Sequence, residues 1–141
     1  MAIYRERLTP NLGIHIALLL LIPMGFGMLA PINIAWGVAN AVALYVLAVL
    51  WFTVGAPIVE VSADTLRAGR AVIDRSHVGH VTIVERTDRR EALSNALAWK
   101  VIRAWIPRGV RIDIVDDTDP TPYWYVSTRN PERLVAALDR R

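Results

Sequence analysis

The sequence predicts an α+β membrane protein, an N-terminal transmembrane helical hairpin followed by a small antiparallel β domain closed by a C-terminal helix. Three observations carry this. Leu8 to Val59 is a run of fifty-two residues without one Asp, Glu, Lys or Arg. From Glu60 onward charges return and the apolar period becomes two, the signature of half-buried strands. The last stretch, from Asn130, has a capping residue, a proline and an apolar stripe at helical spacing. The division expected is residues 1–57 as the hairpin and residues 58–141 as one domain of modest core.

A spanning helix needs about 20 mostly apolar residues, so the charge-free run holds two, predicted at about 11–30 and 33–54. Ala30, Pro31, Ile32 and Asn33 break them. Arg5, Glu6 and Arg7 precede the first span, Arg67 and Arg70 follow the second, and the tip is uncharged. The positive-inside rule then puts both termini of this multi-pass chain in the cytoplasm. A cleaved signal peptide is disfavoured, because Met28 and Leu29 spoil the small-x-small pattern before a cut after Ala30. Pro23 removes a donor and crowds the carbonyl of Leu19, predicting a kink there. Asn40 lies at the same depth and is expected to donate to the carbonyl of Leu19 or Leu20. His15 has no second titratable group at its depth and reads as a neutral histidine near the headgroups rather than a proton relay. Tyr4, Trp36 and Trp51 fall at belt positions.

In the remainder, Ile58, Val59 and Val61 begin a strand, Ser62 to Asp64 turn it, Thr65 to Ala68 return, and Gly69-Arg70 turns into Ala71 to Asp74. Val78 to Glu85 and Trp99 to Ile106 read as strands, with a short helix over Asp88 to Ala98 opened by Asp88 and Glu91 at capping-box spacing. Val110 to Val115 alternates, Val110, Ile112 and Ile114 facing one way, Arg111 and Asp113 the other. Asp116 to Pro122 is a loop and Tyr123 to Thr128 a last strand. Asn130 then caps, Pro131 opens a helix striped by Leu134, Val135 and Leu138, and Arg140 and Arg141 suit its negative end. Roughly seven short strands followed by one helix is the order of a PH-like barrel.

Three stretches carry a resemblance: Tyr4-Arg5-Glu6-Arg7-Leu8, Arg103-Ala104-Trp105, and Asp119-Pro120-Thr121-Pro122-Tyr123-Trp124-Tyr125-Val126-Ser127-Thr128-Arg129. Across nearly its whole length the chain resembles the actinobacterial two-span inner-membrane proteins of unknown function. The resemblance implies an integral protein of the inner (plasma) membrane with a small cytosolic domain, and it supplies no catalytic residues.

Candidate chemistry is sparse. The part from Glu60 carries 14 basic against 12 acidic residues, interspersed, so the pI near 9.8 does not argue for nucleic acid. There is no cysteine, which removes disulfides and thiolate metal sites. His77 and His80 point to opposite faces if they lie on a strand, and Asp113, Asp116, Asp117 and Asp119 complete no calcium loop, so no metal and no cofactor is expected. Arg67, Arg70 and Arg75, close behind the second span, are candidate contacts for anionic headgroups. Tyr123, Trp124 and Tyr125 are a candidate partner-docking edge, one face core and the other free. The function expected is a non-enzymatic adaptor whose partners are the bilayer and either a membrane protein or anionic lipid. The alternative is an accessory subunit of a larger membrane enzyme or transporter.

Overall fold

The computed structural model describes residues 2–139. Arg140 and Arg141, expected at the end of the terminal helix, lie outside them. The chain divides into two compact units, one of residues 9–56 and one made of the segment up to Leu8 together with everything from Pro57.

The apolar unit is three helices, α1 (Leu12–Leu18), α2 (Leu21–Leu29) and α3 (Ile34–Val54). Asn11 caps α1 by accepting from the Ile14 N–H, and Asn33 caps α3 by accepting from Ala35 and Trp36. α1 and α2 form one apolar stretch broken at Leu19 and Leu20. Pro23 cannot donate to Leu19 four residues back, so the Leu19 carbonyl accepts from Ile22 instead, and Leu20 bonds back to Ala17. Together α1 and α2 are long and apolar enough to cross a membrane, and so is α3.

Small residues make the seam between α2 and α3. A β-carbon added to Gly25 would come within 3.0 Å of Ala41 Cα, and one added to Gly37 within 3.0 Å of the Ala30 backbone. Such close backbone approach is how helices pack where apolar burial supplies no drive between them. Asn40 Nδ2 donates to the Gly25 carbonyl at 2.8 Å, not to Leu19 or Leu20 as expected. The Leu19 carbonyl is already taken, and Asn40 neighbours the Ala41 position against which Gly25 lies.

The second unit holds two four-stranded sheets and two helices. β1 (Tyr4–Arg7), β2 (Ile58–Val61), β3 (Thr65–Ala68) and β4 (Ala71–Asp74) form an antiparallel meander in that order. Gly69 turns β3 into β4 at φ +66°, a left-handed value that favours glycine. β5 (Val78–Val84), β6 (Trp99–Val101), β7 (Gly109–Ile114) and β8 (Tyr123–Ser127) form the second sheet in the order β5-β7-β8-β6, with β6 parallel to β8. One turn of helix, α4 (Arg89–Ala92), lies between β5 and β6, and α5 (Pro131–Asp139) closes the unit. The main core gathers Val59, Leu66, Val110, Ile112, Trp124 and Leu134 from both sheets and α5.

Three expectations are corrected here. The hairpin expected over residues 1–57 excludes the segment before Thr9, because Tyr4–Arg7 pairs with Ile58–Val61 residue for residue, Tyr4 opposite Val61 and Arg7 opposite Ile58. The strand expected over Trp99 to Ile106 ends at Val101, because the Arg103 N–H turns to Ser127 Oγ and Ile106 closes a turn onto Arg103. The helix expected over Asp88 to Ala98 is only α4. Asp88 has helical backbone angles and makes no side-chain cap, so the capping box, which needs an extended cap residue, does not form.

Candidate functional site

Alternation along β1 sends Tyr4 and Glu6 inward while Arg5 and Arg7 stay exposed. An inward glutamate needs partners, since a buried carboxylate without them costs several kcal/mol. They come from the far end of the chain. Glu6 Oε2 accepts from Tyr4 Oη at 2.6 Å and from Thr128 Oγ1, while Oε1 accepts from the Arg129 N–H at 3.0 Å. Tyr4 Oη and Thr128 Oγ1 also lie 3.2 Å apart, and Thr128 Oγ1 accepts from the Asn130 N–H that leads into α5. The Glu6 side chain is 9% exposed. Burial, with Glu6 second, pushes the Tyr4 phenol well above its ordinary value. The two stretches Tyr4-to-Leu8 and Asp119-to-Arg129 thus meet in one polar lock that fixes β1 to the junction of β8 and α5.

Beside this lock a groove of about 390 Å³ runs between residues 3–6 and one face of α5, where Asn130, Arg133, Ala136 and Ala137 line it. Successive strand side chains alternate in direction, so four consecutive residues lining one groove place it along the edge of β1 rather than over a face. β1 is the end strand of its sheet. Among the described residues, Arg133 takes part in no ion pair, whereas Arg5 lies 3.7 Å from Glu60.

The residues singled out in the sequence lie elsewhere. Arg67 and Arg70 are exposed, Arg67 sitting on the outer face of its sheet opposite Glu60, with its Nε on the Gly69 carbonyl. Arg75 does not join them as a free cation. Its guanidinium donates to the carbonyls of Ser62 and Ala63 on one side and of Ala137 and Leu138 on the other, satisfying the end of α5 where basic groups suit the dipole.

The aromatic triplet is corrected more sharply, for Tyr123, Trp124 and Tyr125 are all buried. β8 lies between β7 and β6 with both faces covered. Trp124 enters the main core, and Tyr125 packs with Val84 and Ala92 in a smaller one under α4. Tyr123 Oη donates to the Ala92 carbonyl, and Arg111 stacks 4.0 Å from the Tyr123 ring centre. Tyr125 Oη and Arg89 Nε are buried and make no hydrogen bond of good geometry; burial pushes the Tyr125 phenol up, offset in part by the nearby Arg89 and Ser127 side chains. No free aromatic face is left to dock a partner.

Asp116 accepts from both the N–H and hydroxyl of Thr118, the hydroxyl first among the causes that hold its carboxyl below the usual range, and Asp119 accepts from the Thr121 N–H. Among the described residues no three His, Cys, Asp or Glu side chains come together as a metal site. Arg108 bridges Glu85 at 2.7 Å and Glu132 at 2.6 Å on the surface. The lock and groove were missed because Tyr-Arg-Glu-Arg read as a charged flank. The available signal was the alternation itself, which sets Tyr4 and Glu6 on one face.

A two-sheet domain closed by a helix, interrupted near its start by an apolar helical pair and tied across the interruption by a buried glutamate, is the class of protein this fold defines. A family model described as "Protein of unknown function (DUF3093)" matches residues 3–138. The chain belongs to that family. No curated protein and no solved structure matches it.

Proposed function

We propose that this protein is a non-enzymatic adaptor held in the plasma membrane by its helical pair, with both termini and a PH-like domain in the cytoplasm, where the domain docks a protein or an anionic headgroup. One observation carries most of the reading. β1 and β2 pair, and the Leu8 N–H donates to the Pro57 carbonyl at 3.0 Å, so both flanks of the apolar segment belong to one domain. A segment whose two ends return to the same domain crosses a bilayer an even number of times. Arg5, Arg7, Arg67 and Arg70 near those flanks favour the cytoplasmic side. Two sheets followed by a terminal helix support the PH-like assignment.

Topology is tested by labelling. The chain has no cysteine, so Ile32→Cys at the tip and Asp117→Cys in the β7–β8 loop are each the single thiol present. In intact cells an impermeant maleimide should label the first and not the second. Labelling of Asp117→Cys from outside would sink the orientation.

Adaptor and accessory subunit separate on whether the domain binds without the helices. Pairing of β1 with β2 dictates how that piece is made. A fragment starting at Glu60 lacks β1, Glu6 and the lock, whereas joining Leu8 to Pro57 by a short glycine-containing turn keeps the ladder. If the full protein holds a partner that this joined domain cannot bind, the accessory-subunit reading is the correct one.

A further inference from the structure

We infer that the groove between β1 and α5 receives an extended, acidic segment of a protein partner, which adds to β1 as a further strand. This rests on the adaptor reading and names its docking surface. The Leu8 N–H bonds across to Pro57, and an antiparallel ladder alternates every second residue, here as far back as Tyr4, before which the Ile3 N–H is taken by the Val61 carbonyl. The backbone groups of Glu6 therefore also face β2, and those of Arg5 face the open edge. That edge offers an N–H and a C=O together. A strand satisfies both at the spacing of the ladder, whereas a phosphate group accepts only from the N–H, and this favours a strand.

Shape and charge agree. The groove follows residues 3–6 with a volume of about 390 Å³, room for about three or four extended residues at ~3.4 Å each. On the α5 side Ala136 and Ala137 keep its wall low, and Arg133 stands on the rim without an ion pair among the described residues. The carboxylate nearby, Glu6, is already engaged by Tyr4, Thr128 and the Arg129 N–H. An acidic side chain on the incoming strand meets Arg133. A second copy of β1 does not fit, since it would bring Arg5 and Arg7 against their own counterparts, and like charges on paired strands oppose association.

The test is a selection of random twelve-residue peptides by display on the full chain in lipid nanodiscs, read with three variants. Arg5→Pro removes the outward N–H but no bond to β2, a place where an edge strand tolerates proline. Arg5→Ala removes the side chain alone, and Arg133→Glu reverses the rim charge. The expected result is enrichment of sequences alternating β-branched and acidic residues. Their affinity should hold within about threefold for Arg5→Ala and fall at least tenfold for Arg5→Pro and Arg133→Glu. Amide exchange protection of the β2 ladder in Arg5→Pro shows that the sheet is intact, and Arg133→Glu needs no proline. Failure to enrich any sequence, or equal binding to Arg5→Pro and wild type, overturns the proposal. So does displacement of the peptides by phosphatidylglycerol vesicles that bind Arg5→Pro normally, which would make the groove a headgroup site. If a stoichiometric partner co-purifies undiminished with Arg5→Pro and Arg133→Glu, the groove is wrong and the adaptor stands. If native mass spectrometry of the wild-type chain from its own membrane finds neither a protein partner nor a retained anionic lipid, it is the adaptor reading that fails.

Discussion

Replacing Glu6 with alanine tests the lock between the two ends of the β domain. The substitution deletes an acceptor that now takes three hydrogens, from Tyr4, Thr128 and the Arg129 N–H. Hydrogen bonds to a charged group contribute about 1.5–3 kcal/mol each. Tyr4 and Thr128 keep each other as partners at 3.2 Å, and Arg129 is partly exposed, so the loss is well below three full bonds. An effect of about 3 kcal/mol follows, on the order of 12–24 °C in the melting of a domain this size. Glu6→Gln keeps one carbonyl acceptor and should lose about a third of that. The assay is hydrogen exchange by mass spectrometry on the full chain in mild detergent, following peptides from β8 and α5 beside denaturant unfolding. Exchange should quicken in both the β1 and the β8–α5 peptides. With Thr128→Val the double mutant should lose less than the two singles added, because they remove the same bonds. Unchanged protection in Glu6→Ala, or strict additivity with Thr128→Val, would refute the lock.

Arg75→Ala should destabilise the domain by about 1.5–3 kcal/mol, since it strips donors from four carbonyls, while Arg67→Ala and Arg70→Ala should stay within about 0.5 kcal/mol; chemical denaturation compares them. Gly37→Ala should cost about 1–3 kcal/mol by overpacking and lower the thermal aggregation temperature in detergent, while Gly27→Ala, whose β-carbon meets nothing within 4 Å, should leave it unchanged. Burial and then Glu6 raise the Tyr4 phenol above its ordinary 10.0, so its stabilisation is complete below about pH 10 and declines as pH climbs from the unfolded value toward the folded one. Tyr4→Phe should therefore flatten the alkaline limb of a stability-against-pH curve, and an unaltered limb would count against the phenol. Tyr125→Phe removes a buried hydroxyl that makes no hydrogen bond of good geometry but lies beside Arg89 and Ser127, so urea unfolding should show stability within about 1 kcal/mol of wild type.

Local periodicity was a good guide wherever a strand's partner lies next to it in sequence. Ile58–Val61, Thr65–Ala68 and Ala71–Asp74 are a meander with short turns, and their alternation and Gly69 are visible in the residues. The Pro23 break is equally local. What was hidden is what comes from far along the chain. Tyr4–Arg7 looks like a basic flank until Val61 is known to face Tyr4. Tyr123 to Tyr125 alternate as if one face were free, yet the segment carrying α4 covers that face. Arg75 reads as a surface cation until the α5 carbonyls reach it. The same distance concealed the candidate site, whose two halves are residues 3–6 and Asn130 to Ala137.

The insertion of the helical pair between β1 and β2 also sets an order of events during synthesis. β1 emerges from the ribosome first and has nothing to pair with until Ile58–Val61 follows, a wait of several seconds at roughly 5–20 residues per second. During that wait the two apolar helices emerge, so the sheet closes only after they have been made. Glu6 waits longer still, for Thr128 and Arg129.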